Sequence, residues 1–304
     1  MTRVQVLLST YNGAAYLQQQ LESLLAQDYP DISILIRDDG SSDSTPDILA
    51  QYRRHPFIRV IYGENIGVVR SFYSLLQQAD PAVGYVALCD QDDVWLPGKV
   101  SRAVTLLDAQ VARDVPGLYM GRYTIVDQDL NLIRQSDLPR RQPSIANALV
   151  ENIAPGCTMV LNRPGLSILA GRLPGAEVPV HDWWFYMVIA GLGRVVYDAE
   201  SHLLYRLHQD NAIGVERGFV DKWTRRTKRF FANTGLRPIT RQAEELDRMY
   251  GHELQPESAA ILRRVLRERS ELLDRLAFAY RPPVYRQNVL DDLILRALLL
   301  CNQI

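Results

Sequence analysis

The sequence predicts an α/β fold with a mostly parallel central sheet, followed by a C-terminal helical extension. Three observations predict it. Short runs of Val, Ile and Leu alternate with helical patterns over residues 4–107, as in chains of βαβ crossovers. Those runs are apolar on both faces, which suits strands covered by helices on either side. From about residue 218 the composition shifts toward Arg and Lys at helical spacing with no further strand pattern, which places a boundary between 1–217 and 218–304.

Residues 4–9 form the first expected strand, ending at Asn12-Gly13. Asn12 is placed to cap a helix in which Leu17, Leu21, Leu24 and Leu25 recur on one face through Gln27. A second strand over 32–36 leads through the turn-rich 38–44 to Thr45-Pro46, where Pro opens a helix. A third strand at 58–62 precedes a helix over 71–78, and a fourth at 85–89 runs into an acidic cluster. Beyond Lys99 the order loosens: a helix to about 107, a strand near 119–126, an Asp127-Gln128-Asp129 turn and a helix near 145–150.

Composition excludes several classes. With 304 residues, 47% hydrophobic and 23% charged, the chain is neither disordered nor fibrous, and it has room for a large core. A net charge of −1 argues against a nucleic-acid partner. Cys89, Cys157 and Cys301 are widely spaced in apolar surroundings and read as buried or inert thiols in a reducing cytoplasm. Met1-Thr2-Arg3-Val4 leads straight into a strand pattern without an export signal. The densest apolar run, 183–192, is about half the roughly 20 residues that a bilayer span needs, so no transmembrane helix is expected.

The sharpest motif is Leu88-Cys89-Asp90-Gln91-Asp92-Asp93-Val94-Trp95-Leu96-Pro97, where three carboxylates leave a buried strand almost together. Crowded carboxylates repel unless a cation neutralises them, and oxygen ligands favour hard Mg²⁺ or Mn²⁺, with phosphates completing the shell. A solvated acidic turn is the plainer alternative. In Arg37-Asp38-Asp39-Gly40-Ser41-Ser42-Asp43, two adjacent acids precede a tight turn, and a carboxylate there would accept from a nucleobase N–H or ribose hydroxyls. Tyr11, after the first strand, offers a ring to stack on a base.

The strings Ser9-Thr10-Tyr11-Asn12-Gly13, Asp38-Asp39-Gly40-Ser41-Ser42-Asp43, Asp90-Gln91-Asp92-Asp93-Val94-Trp95-Leu96-Pro97, His181-Asp182-Trp183 and Tyr205-Arg206-Leu207-His208 occur in this order. Together they resemble family 2 glycosyltransferases of the Rossmann-like GT-A fold, and most of all bacterial polysaccharide rhamnosyltransferases. The likeness covers residues 3–215 well and the tail only in general character. It implies an inverting hexosyltransferase that takes a nucleotide-sugar donor, dTDP-β-L-rhamnose first and a UDP-hexose second. The implied acceptor is a glycan or lipid-linked glycan in the synthesis of cell-envelope polysaccharide such as lipopolysaccharide.

Carried over position by position, the resemblance places Asp39 on the pyrimidine base, with Thr10, Tyr11 and Asn12 in the same pocket. Asp92 would hold Mg²⁺ or Mn²⁺, and Asp90 with Gln91 would lie nearer the sugar or ribose. Arg206 and His208 would reach the diphosphate or the metal, and Arg70, beyond the Asn65-Ile66-Gly67 loop, the phosphates. Asp182 matches the general base. Gly156, Thr158 and Trp183 would face the acceptor. One base and one cation suffice for inverting transfer, whereas hydrolysis would use paired carboxylates flanking the bond. Asp182 as a helix N-cap, and both Trp183 and Trp184 as core, are the structural alternatives.

Between Arg217 and Arg241 stand eight Lys or Arg residues and one acid, Asp221, with Trp223, Thr227, Phe230 and Phe231 on one helical face. Such a helix reads as a contact to an anionic membrane surface, at the inner face of the cytoplasmic membrane, or as a solvated helix. The apolar helical patterns at 261–280 and 290–300 would form a cap, a homodimer surface or a membrane-facing hairpin. Two other classes remain as alternatives: a sugar-phosphate nucleotidyltransferase, disfavoured because its Gly-rich loop is reduced to Gly13, and a non-catalytic glycan- or membrane-binding module.

Overall fold

The structure, a computed structural model, describes residues 2–175, 178, 180–208, 238–268 and 271–301. The first half alternates β1 (Val4–Thr10), α1 (Leu17–Leu25), β2 (Ile32–Asp38), α2 (Thr45–Tyr52), β3 (Ile58–Tyr62), α3 (Val68–Gln78) and β4 (Tyr85–Cys89). Then come β5 (Val94–Trp95), α4 (Lys99–Gln110), β6 (Gly117–Val126), β7 (Leu132–Gln135) and α5 (Ile145–Ala148). A 3-10 turn at Gly156–Thr158 leads into β8 (Val160–Asn162), α6 (Arg163–Gly171), α7 (His181–Leu192) and β9 (Arg194–Arg206). Four more helices follow: α8 (Pro238–Tyr250), α9 (Pro256–Leu266), α10 (Leu272–Tyr280) and α11 (Val289–Leu300).

The strands form one sheet in the order β3-β2-β1-β4-β8-β6-β9-β5, with β7 paired to β6. β3, β2, β1 and β4 are mutually parallel, β8 is antiparallel, and β6 and β9 are again parallel to each other. All five residues of β4 are buried. This follows from helices on both faces: α1 and α2 close one side through Leu17, Leu21 and Leu49, and α3, α6 and α7 close the other through Phe72, Leu76, Leu166 and Phe185.

The apolar run at 183–192 is α7, with Trp184, Phe185, Tyr186, Met187, Val188 and Ile189 all fully buried. Its helix faces protein all round, which accounts for its composition. No helix among the described residues is long and apolar enough to cross a membrane. Two local expectations are corrected. Asn12 does not cap α1, which begins at Leu17 after Tyr16; instead Asn12 sits at φ 49° and turns its side chain to the neighbouring loop. Cys301 is exposed, unlike buried Cys89 and Cys157.

The C-terminal helices join the main core rather than lying beside it. Ala243, Leu246 and Tyr250 of α8, Leu262 of α9, Phe278 of α10 and Leu295 of α11 belong to the same buried cluster as α7. Trp184 meets Tyr250 at a ring separation of 6.5 Å. The apolar pattern expected over 261–280 is split between α9 and α10. The basic aromatic stretch from Lys222 to Phe231 lies outside the described residues.

Leu246 is fully buried in this shared cluster, so Leu246→Ala should cost the whole chain about 2–5 kcal/mol in one cooperative unfolding transition. Chemical denaturation followed by two probes measures it; a loss confined to a separate early transition would show that α8–α11 fold apart from the sheet.

Candidate active site

Parallel pairing puts the chemistry-bearing residues on one edge. Leu8 lies opposite Cys89, and Thr10 opposite Asp38, so the loops after β1, β2 and β4 all emerge at the carboxyl end of the sheet. Ligand sites of open α/β sheets form there because loops, not ladder pairs, occupy that edge.

The first two loops are laced together by side-chain to backbone bonds. Asn12 Oδ1 accepts from the Ser42 amide at 2.8 Å, the Gly13 amide donates to Thr45 Oγ1 at 2.9 Å, and the Ala14 amide donates to Asp43 Oδ2 at 3.0 Å. Gln91 fastens the third loop to the first. Its Oε1 accepts from Thr10 Oγ1 (2.7 Å) and the Tyr11 amide (2.8 Å), while its Nε2 donates to the Tyr11 carbonyl (3.2 Å). A Cβ on Gly13 would come within 2.3 Å of Gln91 Oε1, so this approach requires glycine.

Asp39 is buried and three groups hold its carboxylate: the Arg37 guanidinium, the Ile66 amide (3.0 Å) and the Gly67 amide (2.9 Å). Arg37 also donates to the Glu64 carbonyl at 3.0 Å. Asp39 therefore fixes the 63–67 loop, and Tyr11, after β1, is 46% exposed. Arg70 projects exposed from the first turn of α3.

The acidic string folds over a buried platform. Asp93, 1% exposed, accepts the Arg206 amide at 3.1 Å, and its Oδ2 has no partner among the described residues. The sulfur of Cys157 and a carboxylate oxygen of each of Asp90 and Asp93 lie within 4.8 Å of one another. Burial, then Asp92 and Asp90, push the Asp93 carboxyl well above the usual range. Lys99 places its buried ammonium 3.5 Å above the Trp95 ring, and burial lowers its pKa to about 8.

Asp92 turns toward the open side, with His208 Nε2 at 2.8 Å from its Oδ2. The His208 ring leans on Tyr16 at 4.8 Å, and Arg206 covers the same Tyr16 ring at 4.7 Å. Arg206 is 2% exposed: it donates to the Asp92 carbonyl at 2.9 Å and also binds the Gln128 carbonyl and Gln19. Its fork braces the backbone that presents Asp92.

Asp182 stands across from this cluster at the start of α7. Val180 takes the N-cap position and Asp182 lies in the first turn, where the helix dipole favours a carboxylate. Its Oδ2 accepts from the Gly156 amide (3.2 Å) and its Oδ1 from the Trp183 amide (2.7 Å). A Cβ on Gly156 would lie 2.7 Å from His181 Nε2 and 3.5 Å from Asp182 Cβ, so glycine lets the 3-10 turn close on the carboxylate. His181 is buried against Phe72 at 4.0 Å, and burial lowers its pKa, keeping the ring neutral.

On the expected acceptor side, Trp183 is half-buried and its indole N–H donates to the Ala148 carbonyl at 2.7 Å. Trp184 is core. Thr158 is 2% exposed and its hydroxyl donates to the Pro155 carbonyl at 2.8 Å. Thr10 likewise spends its hydroxyl on Gln91. Tyr16, Gln19 and Lys99 escaped the sequence reading. Tyr16 and Gln19 look like ordinary residues at a helix start, and only the return of β9 brings Arg206 and His208 onto them.

Burial first, then the charges of Asp92 and Asp182, push the Asp90 carboxyl up to about 7 from 3.8. Between those values the native state keeps a proton that the unfolded chain has released, so stability falls as pH rises through this window. Asp90→Asn should flatten that decline in thermal melts run without divalent cations from pH 5 to 7. An unchanged slope would mean Asp90 ionises freely in the fold.

The model of the family described as glycosyl transferase family 2 matches residues 5–166, more than half of the chain. The dTDP-rhamnosyl transferase RfbG of Shigella flexneri is 28% identical over 234 residues, covering 72% of this chain and 77% of RfbG. Among solved structures, S. aureus TarS 1–349 in complex with UDP-GlcNAc superimposes with a TM-score of 0.61 at 16% identity, over 97% of this chain and 79% of TarS 1–349. The mannosyltransferase PcManGT of Pyrobaculum calidifontis, in complex with GDP-Man and Mn²⁺, gives 0.56 at 17% identity, over 99% and 74%. The curled, mostly parallel sheet with its carboxylates at the carboxyl edge is thus the GT-A fold, and the chain belongs to glycosyltransferase family 2.

Proposed function

We propose that this enzyme transfers a sugar with inversion from a nucleoside-diphosphate sugar, dTDP-β-L-rhamnose, to a hydroxyl of a glycan acceptor in bacterial cell-surface polysaccharide synthesis. The observation that carries the transfer chemistry is the facing of Asp182 and the acidic string, close enough that Asp182 raises the Asp90 carboxyl. In this reading Asp182 serves as proton acceptor and the acidic string as diphosphate anchor. The rhamnose donor draws its support from the likeness to a dTDP-rhamnosyl transferase. A UDP-hexose is the second reading, favoured by the fold shared with a UDP-GlcNAc complex.

In this reading Tyr11 stacks on the base and Asn12 and Asp39 shape the floor and wall of its pocket. Asp182, aimed by two backbone amides, takes the proton from the acceptor hydroxyl as its oxygen attacks the anomeric carbon in line. Arg70 on α3 supplies positive charge at the mouth. The residues fit a divalent cation: Asp92 and His208 bring a carboxylate oxygen and an imidazole nitrogen together at 2.8 Å, beside carboxyls whose mutual repulsion a cation would relieve. Asp92 and His208 would hold Mg²⁺ or Mn²⁺, which when bound supplies charge neutralisation for the departing diphosphate.

A panel of nucleotide sugars with Mg²⁺ or Mn²⁺, scored for nucleoside diphosphate release, tests the donor: turnover with dTDP-rhamnose is expected, and turnover with UDP-sugars alone would overturn it. Asp92→Ala should abolish cation-dependent donor binding measured by calorimetry. Asp182→Asn should keep donor affinity and lose transfer by about 10²–10⁴-fold; full transfer by that variant would remove Asp182 from the base role.

A further inference from the structure

A cavity of about 340 Å³ opens between the β6–β7 ribbon, the 137–140 loop, the segment before Ala154 and the start of α11. That volume is at the low end for a small-molecule site and matches one or two sugar rings. It sits on the catalytic edge. Tyr123, which lines it, packs against Tyr205 at 5.3 Å, and Val126, three residues on, pairs with Arg206, the residue that holds Asp92 and Asp93. On its other side, Asn152 and Ile153 run directly into the turn whose Gly156 amide orients Asp182.

The walls are already fixed. Gln287 clasps the Arg141 backbone in both directions at 2.9 Å, its own amide donates to Glu151 Oε2 at 2.7 Å, and Asn147 donates to the same oxygen at 2.8 Å. The C-terminal segment is thereby stapled to the catalytic half, and little ordering remains to be done on binding. Two charged groups line the rim: Asp137 and Arg140 are exposed and make no hydrogen bond or ion pair among the described residues.

The lining chooses the ligand class. Arg134 and Arg140 are offset by Asp137, Glu151 and Asp291, so the cavity has no excess of positive charge to select a phosphate. Donors and acceptors lie interspersed around the Tyr123 ring and the apolar Leu138. Hydroxyls of a neutral sugar can donate to the carboxylates and accept from the guanidinium of one site, while ring C–H faces rest on Tyr123. We propose that this cavity binds acceptor carbohydrate, holding the one or two sugar residues next to the one whose hydroxyl Asp182 deprotonates. The inference rests on the transfer reading above and names a subsite for its acceptor, built in part by the C-terminal extension.

The test uses the full chain on a microarray of bacterial oligosaccharides, with wild type beside Asp137→Ala/Arg140→Ala. Wild type should retain glycans of two or more residues, and the double variant should lose at least tenfold of that signal. Its melting temperature and its acceptor-free release of nucleoside diphosphate should match wild type. Absence of oligosaccharide binding by wild type, or equal binding by the variant, would overturn the assignment. If wild type releases no nucleoside diphosphate from any donor yet binds glycans through these two residues, the transfer reading fails and the carbohydrate site stands.

Discussion

Asp90, Asp92 and Asp93 leave a fully buried strand within one turn of chain, and Asp182 arrives opposite them from α7. Each added charge in that low-dielectric pocket raises the cost of the next, and Asp90 and Asp93 both hold their protons more tightly for it. Much of the surrounding architecture answers this repulsion. The Arg206 amide satisfies one oxygen of Asp93, its guanidinium braces the Asp92 carbonyl, and His208 pairs with the Asp92 carboxylate. Lys99 adds a buried positive charge beneath.

Division of labour among the acids follows from depth. Asp93 is sealed and serves the backbone, Asp39 is sealed and serves the 63–67 loop, and Asp38 accepts from the Ser41 amide at 3.1 Å to shape its turn. Asp90 and Asp92 remain partly exposed, and Asp182 is 6% exposed. A similar economy applies to Thr10, Asn12 and Gln91: their hydrogen bonds run to neighbouring loops, so they fix the loops at the carboxyl edge of the sheet to one another.

The C-terminal helices extend this logic beyond the donor side. Because α8 to α11 share the hydrophobic cluster of α7, the helix that carries Asp182 is clamped between the sheet and the extension. Gln287 and Glu151 then tie the approach to α11 to the segment before Gly156. Packing in one region thus sets the aim of the carboxylate and the shape of the cavity beside it.

Periodicity and strand chemistry, both local, were enough to read the strands at 58–62 and 85–89, the helix opened by Pro46, the parallel sheet and the acidic string at its edge. Three short strands, β5, β7 and β8, were not legible, because two to four residues carry no period and gain their pairing only from distant partners. The residue types of the candidate site were legible, but their partners were not. In the fold Arg206 and Thr158 donate to the Asp92 and Pro155 carbonyls, partners that the chain does not display, while Tyr16 and Gln19 acquire meaning only where β9 returns to them. Residue order determined which chemistry this protein carries. Tertiary structure alone decided which carboxylates are buried and which face solvent, because burial and hydrogen-bond partners arise from contacts between segments more than a hundred residues apart.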